Sequence, residues 1–127
     1  LYQLSAGYPA IEVPETSILA HGTDDPVADA ITQKCLAETS CNWTRPEGDW
    51  NLVHGEIMTL LEPERDLPPI DRLEGFVAGG QGLYRRVMIP AKLQMTIVSV
   101  WSYSMEILDG TRLLDGIWHV EATDNAL

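Results

Sequence analysis

The spacing of apolar and polar positions divides the chain into strand-like and helix-like stretches. Residues 1–13 alternate loosely up to Pro14, which predicts a strand that enters a turn at Gly7-Tyr8-Pro9. Residues 50–61 carry apolar side chains in both alternating registers, so we expect a strand that is covered on both faces. Residues 83–93 and 95–107 predict two strands joined as a hairpin by a Lys-Leu-Gln connection.

A first helix is predicted from Asp25 to about Thr39. Asp25 can cap the free N–H groups of its first turn, and Pro26 fits the first helical position. Four residues share one face at helical spacing and are expected to be buried: Val27, Ala30, Ile31 and Cys35. The polar residues, including Asp29, fall mostly on the opposite side, which predicts that Asp29 faces solvent.

A second, short helix is predicted over residues 63–75. Its apolar residues Leu67, Ile70 and Leu73 recur at helical spacing, and we expect them to be buried. Gly75 stands where a left-handed residue commonly ends a helix. Together with the strands, the two helices predict a single α+β domain over residues 1–127.

Composition and charge restrict the classes of partner. The chain has 127 residues, of which 45% are hydrophobic, and this balance is typical of one folded domain. The formal net charge of −11 repels phosphate backbones and anionic lipid headgroups, so we expect neither nucleic acid nor a membrane as a partner. No apolar run reaches the roughly 20 residues of a membrane span, and no export signal is visible, which favours a cytoplasmic protein. The sequence leaves the oligomeric state open.

The two cysteines, Cys35 and Cys41, are too few for a disulfide scaffold or a four-ligand zinc site. We expect free thiols, because a bridge across the end of a helix would be strained and the cytoplasm is reducing. No metal site is predicted.

Glu74 is the acidic residue whose position suggests chemistry. It comes directly before the glycine that is predicted to end the second helix. The carbonyl end of a helix disfavours a nearby ionised carboxylate, which makes Glu74 a candidate proton acceptor near neutral pH. The alternative is a solvated glutamate beside a helix cap.

Five short blocks follow one another in an order that is hard to obtain by chance. They are Gly7-Tyr8-Pro9-Ala10, Val53-His54-Gly55-Glu56, Ile70-Asp71-Arg72-Leu73-Glu74-Gly75-Phe76, Leu83-Tyr84-Arg85-Arg86-Val87 and Val100-Trp101-Ser102-Tyr103. In this order they resemble the gamma-glutamylcyclotransferase-like family over about residues 7–118. The most specific pieces are Leu73-Glu74-Gly75 and Tyr84-Arg85-Arg86.

The resemblance implies a small mixed β-barrel with flanking helices and a cavity at one end. It implies an enzyme that releases 5-oxoproline from a small-molecule γ-glutamyl amine or peptide, without a metal or other cofactor. Glu74 then has the family's catalytic position as general acid/base. We then expect substrate contacts from Tyr8, Tyr84, Arg86 and Tyr103. The alternative for Tyr84 and Tyr103 is packing in the barrel interior, and at most one of Arg85 and Arg86 can enter the pocket, because adjacent strand residues point to opposite faces. His54 is either a second proton carrier or a structural residue.

Two features depart from the family's pattern. The family's substrate loop, Tyr-Gly-Ser/Thr-Leu, does not occur in the sequence, and we expect this loop and the first strand to lie upstream of Leu1. Residues 15–50 are an insertion between two strands that the family often joins briefly, and they form either a lid or a surface decoration. The alternative to an enzyme is a catalytically silent small-molecule or protein-binding module of the same fold.

Overall fold

The computed structural model of the chain describes residues 1–37, 45–79, 82–106 and 109–119. Over these residues it contains two α-helices, six strands and one short 3₁₀ helix, which makes it a small α+β structure as predicted. The helices are α1 (Pro26–Ala37) and α2 (Pro63–Glu74), and the 3₁₀ helix covers Glu15–Ser17. The strands are β1 (Tyr2–Gln3), β2 (Pro9–Ala10), β3 (Ala20–His21), β4 (Arg85–Leu93), β5 (Thr96–Ser104) and β6 (Thr111–Arg112).

The strands form two antiparallel sheets, in the orders β2-β1-β6 and β3-β4-β5. Within the described ranges neither sheet closes into a barrel, in contrast to the barrel that the resemblance implies. The main reason is the short length of β1, β2, β3 and β6, which have two residues each and cannot surround a core. Only β4 and β5 are long, with nine residues each.

The predicted hairpin is confirmed as β4 and β5, but the predicted Lys-Leu-Gln connection is wrong, because Lys92 and Leu93 belong to β4 and pair with Ile97 and Thr96. Its turn lies at Gln94 and Met95, where Gln94 has a φ of 55° and Met95 is fully exposed. This turn places Arg86 directly opposite Tyr103 across the two strands. Cross-strand partners point to the same face of a sheet, so both side chains extend to the side on which the helices pack.

The start of α1 is confirmed, but its predicted buried face is wrong. Asp25 Oδ1 accepts hydrogen bonds from the N–H groups of Val27 and Ala28, at 3.0 and 3.2 Å. Val27, Ile31 and Cys35 are nevertheless exposed, whereas Asp29 is only 2% exposed. The helix is rotated so that the Asp29 carboxylate lies 2.9 Å from the buried Arg86, because a buried carboxylate needs a charged partner.

The chain between the two helices departs from expectation at residues 50–61. The predicted strand is not formed there: the segment has no regular secondary structure, belongs to neither sheet, and its side chains are mostly exposed. Residues 38–44, where the sequence predicts the end of α1 and places Cys41, lie outside the described residues. Cys35 is a free, exposed thiol, as predicted.

The second helix agrees closely with its prediction. It begins at Pro63, and Gly75 ends it with a φ of 68°. Leu67 is buried, but Leu73 is 84% exposed, so the expectation that all three apolar residues are buried is wrong. No helix in the described part of the chain is long and apolar enough to cross a membrane.

Candidate functional site

The candidate site lies at the C-terminal end of α2. The left-handed turn at Gly75 lets the N–H of Phe76 donate to the Asp71 carbonyl at 2.8 Å, which closes the helix directly after Glu74. The chain then returns beside this turn, where the N–H of Leu83 donates to the Gly75 carbonyl at 2.8 Å. Glu74 is half-buried at this point.

Gly82 allows this close return of the chain. A Cβ at position 82 would overlap the backbone carbonyl oxygen of Gly75 and would approach the backbone nitrogen of Val77 within 2.6 Å. Only glycine fits there without a backbone shift. The contact brings the first residues of β4 next to the end of α2.

Asp71 is the centre of the polar network at the site. Its Oδ1 accepts the hydroxyl hydrogen of Tyr103 at 2.5 Å and the Nε–H of Arg86 at 2.9 Å. Its Oδ2 accepts a second, longer bond from Arg86 Nη2 at 3.3 Å. One carboxylate therefore fixes side chains from both long strands to the helix that carries Glu74.

Arg86 is buried, with 1% of its surface exposed. Besides Asp71, its guanidinium contacts Asp29 through Nη1 at 2.9 Å and donates from Nη2 to the Thr23 carbonyl at 2.9 Å. Among the described residues Nη1 has no acceptor in hydrogen-bond geometry, so its contact with Asp29 is an ion pair without a directed hydrogen bond. The rings of Phe76 and Trp101 cover the guanidinium carbon at 4.8 and 5.1 Å from their centroids.

Tyr84 connects the site to the sheet formed by β2, β1 and β6. Its hydroxyl donates to the Pro9 carbonyl at 2.9 Å, across 75 positions of sequence. A single parallel bridge also pairs Tyr84 with Phe76, directly after the end of α2. Tyr8, next to Pro9, is 67% exposed at the edge of this region.

Tyr84 and Tyr103 both have pKa values above the usual range of tyrosine. Burial raises the pKa of Tyr103 well above its usual range, and the hydrogen bond to Asp71 raises it further, as do the charges of Asp71 and Glu74, while Arg86 opposes the shift. Burial also raises the pKa of Tyr84, with a smaller contribution from the charge of Glu74. The carboxylate of Glu74 therefore lies close enough to both phenols to act on them electrostatically.

The arrangement favours a cationic hydrogen-bond donor over an anion. Each of the two phenols already donates its one proton, to Asp71 and to Pro9, so its oxygen can only accept a further bond. The positive charge of Arg86 is buried and paired with two carboxylates. The groups near this helix end that can still accept a bond are the Glu74 carboxylate and the two phenolic oxygens, and acceptors of this kind suit an ammonium group.

Four of the five residues expected at the site meet at this end of α2: Glu74, Tyr84, Arg86 and Tyr103. Tyr8 lies at the margin, beside the residue that Tyr84 contacts. His54 is exposed in the segment before α2, and its backbone N–H donates to the Gly116 carbonyl at 2.9 Å. Asp71 and Asp29 were not expected at the site, although Asp71 lies one turn before Glu74 and so on the same helix face.

Two surface clefts occur near the sheets, of about 490 and 560 Å³. The smaller one lies along Gln3, Leu4, Ser5, Gly110 and Thr111. The larger one reaches the return of the chain at Gly82 and Leu83 and includes the exposed Glu15–Arg85 ion pair. Glu74 lines neither of these two clefts. No group of three metal-ligating side chains gathers within the part of the chain that the structure describes.

Comparison of the chain with protein-family models, with curated protein sequences and with solved structures finds no match.

Proposed function

We propose that the chain is a γ-glutamyl cyclotransferase that releases 5-oxoproline from a γ-glutamyl amine or peptide, with Glu74 as the general acid/base. The observation that carries this proposal is the convergence of Asp71, Glu74, Tyr84, Arg86 and Tyr103 at one helix end. These residues come from three of the blocks that resemble the gamma-glutamylcyclotransferase-like family, and a fourth block meets them through Pro9. Neither a metal nor an organic cofactor is required.

The reaction needs one proton carrier. The α-ammonium of the γ-glutamyl group gives a proton to the Glu74 carboxylate, and the resulting amine attacks the γ-carbonyl carbon of the same molecule. A new C–N bond closes the five-membered ring, and the attacking nitrogen releases its second proton to solvent. The bond to the departing amine breaks as that nitrogen takes the first proton back from Glu74. Glu74 ends the cycle as a carboxylate, and the products are 5-oxoproline and the free amine.

The electrostatics of the site support the first of these steps. A substrate ammonium carries a positive charge and several N–H donors, which match the Glu74 carboxylate and the phenolic oxygens of Tyr84 and Tyr103. Because ring closure is intramolecular, holding the substrate in a folded posture is the larger part of the catalytic task. The ordered network beneath the site, from Asp71 to Arg86, suits that role.

We also propose that the two sheets are parts of the family's fold. A hydrogen bond between the two sheets supports this: the N–H of Met105, just after β5, donates to the Ile11 carbonyl, just after β2, at 2.9 Å. The alternative function is a silent binding module with the same residues. It is favoured by one observation, that Glu74 lines neither of the two clefts.

The test replaces Glu74 by glutamine and measures 5-oxoproline release from a panel of γ-glutamyl amines and peptides. Glu64→Gln is the matched control, because Glu64 is an exposed residue in the first turn of the same helix and its replacement removes the same charge. We expect Glu74→Gln to abolish release and Glu64→Gln to leave it unchanged. Equal release by Glu74→Gln would exclude Glu74 from the mechanism. Saturable binding without release by the unmodified chain would favour the binding module.

A further inference from the structure

The helix α1, which belongs to the segment 15–50, contributes Asp29 to the polar network of the candidate site. Asp29 is 2% exposed although its neighbours on the predicted buried face are exposed. Its Oδ2 lies 2.9 Å from Arg86 Nη1, and Arg86 in turn bonds Asp71. A buried carboxylate is costly unless it is paired, so this position is built around the contact with Arg86.

Asp29 is itself held firmly. Its Oδ1 accepts the hydroxyl hydrogen of Thr23 at 2.8 Å, and its Oδ2 accepts the N–H of Thr23 at 3.0 Å. The Thr23 carbonyl accepts a bond from Arg86 Nη2, so the turn before α1 contacts both members of the ion pair. The backbone of Gly22 packs against the same guanidinium: a Cβ there would lie 2.9 Å from Arg86 Cζ.

The guanidinium of Arg86 is thus divided between two carboxylates on two helices. Its Nε side faces Asp71 on α2 and its Nη1 faces Asp29 on α1. Arg86 Nε and the Tyr103 hydroxyl share a single oxygen of Asp71, at 2.9 and 2.5 Å. The guanidinium bonds both oxygens of Asp71, from Nε and Nη2, and the contact of Nη1 with Asp29 fixes the direction from which it does so.

We propose that Asp29 is a positioning residue of the site: by holding Nη1 it fixes the Arg86 guanidinium in the orientation in which Asp71 Oδ1 accepts bonds from both Arg86 and the Tyr103 hydroxyl beside Glu74. On this account α1 is neither a lid nor a decoration but part of the support of the site. The effect on the Tyr103 bond stands without the proposed function, whereas the effect on turnover rests on it.

The test replaces Asp29 by asparagine, which keeps the shape of the side chain and removes its charge. The reporter is the hydroxyl hydrogen of Tyr103, whose exchange with solvent is followed by NMR in tyrosine-labelled protein and assigned with Tyr103→Phe. We expect exchange about tenfold faster than in the unmodified chain, which corresponds to about 1.4 kcal/mol of weakened bonding. Asp24→Asn, which removes the same charge at an exposed position before α1, should leave the exchange rate unchanged.

A second variant keeps the test decisive if Asp29→Asn does not fold. Thr23→Val has nearly the same shape and retains every charge. It removes the 2.8 Å bond that steadies Asp29, together with the bonds between the Thr23 hydroxyl and the backbone of Asp25. It should accelerate exchange at Tyr103 in the same direction but by less. If Asp29→Asn folds, an unchanged exchange rate in that variant would overturn the proposal. If it does not fold, an unchanged exchange rate in Thr23→Val would overturn it.

Turnover gives an independent measurement. If the chain releases 5-oxoproline, we expect a lower kcat and little change in KM for Asp29→Asn, or for Thr23→Val where Asp29→Asn does not fold. The reason is that a misplacement of about 1 Å in a supporting group can reduce the rate about 100-fold. An unchanged kcat alongside faster exchange would overturn the positioning role. If the unmodified chain releases no 5-oxoproline, the proposed function fails, and the exchange experiment alone decides whether Asp29 controls the Tyr103 bond.

Discussion

The hydroxyl of Tyr103 lies 2.5 Å from Oδ1 of Asp71 and donates its proton to it. This bond joins β5 to α2 three residues before Glu74. A short bond between a phenol and a carboxylate in a partly buried setting is a strong one, because the acceptor is charged. It makes the protonation of Tyr103 a measurable property of the folded state.

The first prediction concerns stability at high pH. Above the ordinary tyrosine pKa of about 10, the unfolded chain loses the Tyr103 proton while the folded chain keeps it, because burial and Asp71 raise the pKa in the folded state. The unfolded state then binds fewer protons, so the free energy of unfolding falls as the pH rises above about 10. Denaturant titrations at a series of pH values should show this fall, reduced in Tyr103→Phe and retained in Tyr8→Phe. An identical pH dependence in Tyr103→Phe would show that the bond is not formed in solution.

The second prediction contrasts two adjacent arginines. Arg86→Met leaves the buried Asp29 and the partly buried Asp71 without their cation, and removing one partner of a buried ion pair typically costs about 3–5 kcal/mol. Arg85→Met breaks only the exposed pair with Glu15 on the other face of the strand, where solvent screens the charges, and should change stability little. Urea unfolding of both variants measures the difference. Equal losses would mean that burial of the Arg86 network contributes nothing to stability.

The third prediction concerns the turn beneath the site. Gly82→Ala adds a methyl group where the Gly75 carbonyl already lies, so we expect a loss of about 1–3 kcal/mol from the forced backbone shift. The control is Gly55→Ala, because a Cβ at the exposed Gly55 has open space around it. Thermal unfolding should show a lower Tm for Gly82→Ala alone. If the two variants melt at the same temperature, the close return of the chain at Gly75 is not present in solution.

Local signals in the sequence were enough to predict the four longest elements of the described structure. Asp25 and Pro26 mark the start of α1, Gly75 marks the end of α2, and alternating apolar residues mark the β4–β5 hairpin. Each of these signals acts over a few residues. The segment 50–61 shows the limit of such patterns: it alternates like a strand but has no neighbouring strand with which to pair in the described structure.

The site could be predicted only in part. Glu74, Tyr84 and Tyr103 follow from their sequence blocks. The pairing of Arg86 with Tyr103, however, depends on the position of the hairpin turn at Gln94 and Met95. A turn centred on Leu93 would place Val100 opposite Arg86 instead. Asp29 was assigned to solvent because an acidic residue on a helix is usually hydrated. Its burial depends on an arginine 57 positions away in sequence, and no local pattern carries that information.

The central claim is that the chain closes a γ-glutamyl group on itself. The most direct test incubates it with a γ-glutamyl amine in water enriched in heavy oxygen and identifies the products by mass spectrometry. We expect free amine and 5-oxoproline without heavy oxygen in its ring carbonyl, both lost in Glu74→Gln, because the attacking atom is the substrate's own nitrogen. Free glutamate that carries heavy oxygen, or no turnover of any γ-glutamyl amine or peptide, would contradict the claim.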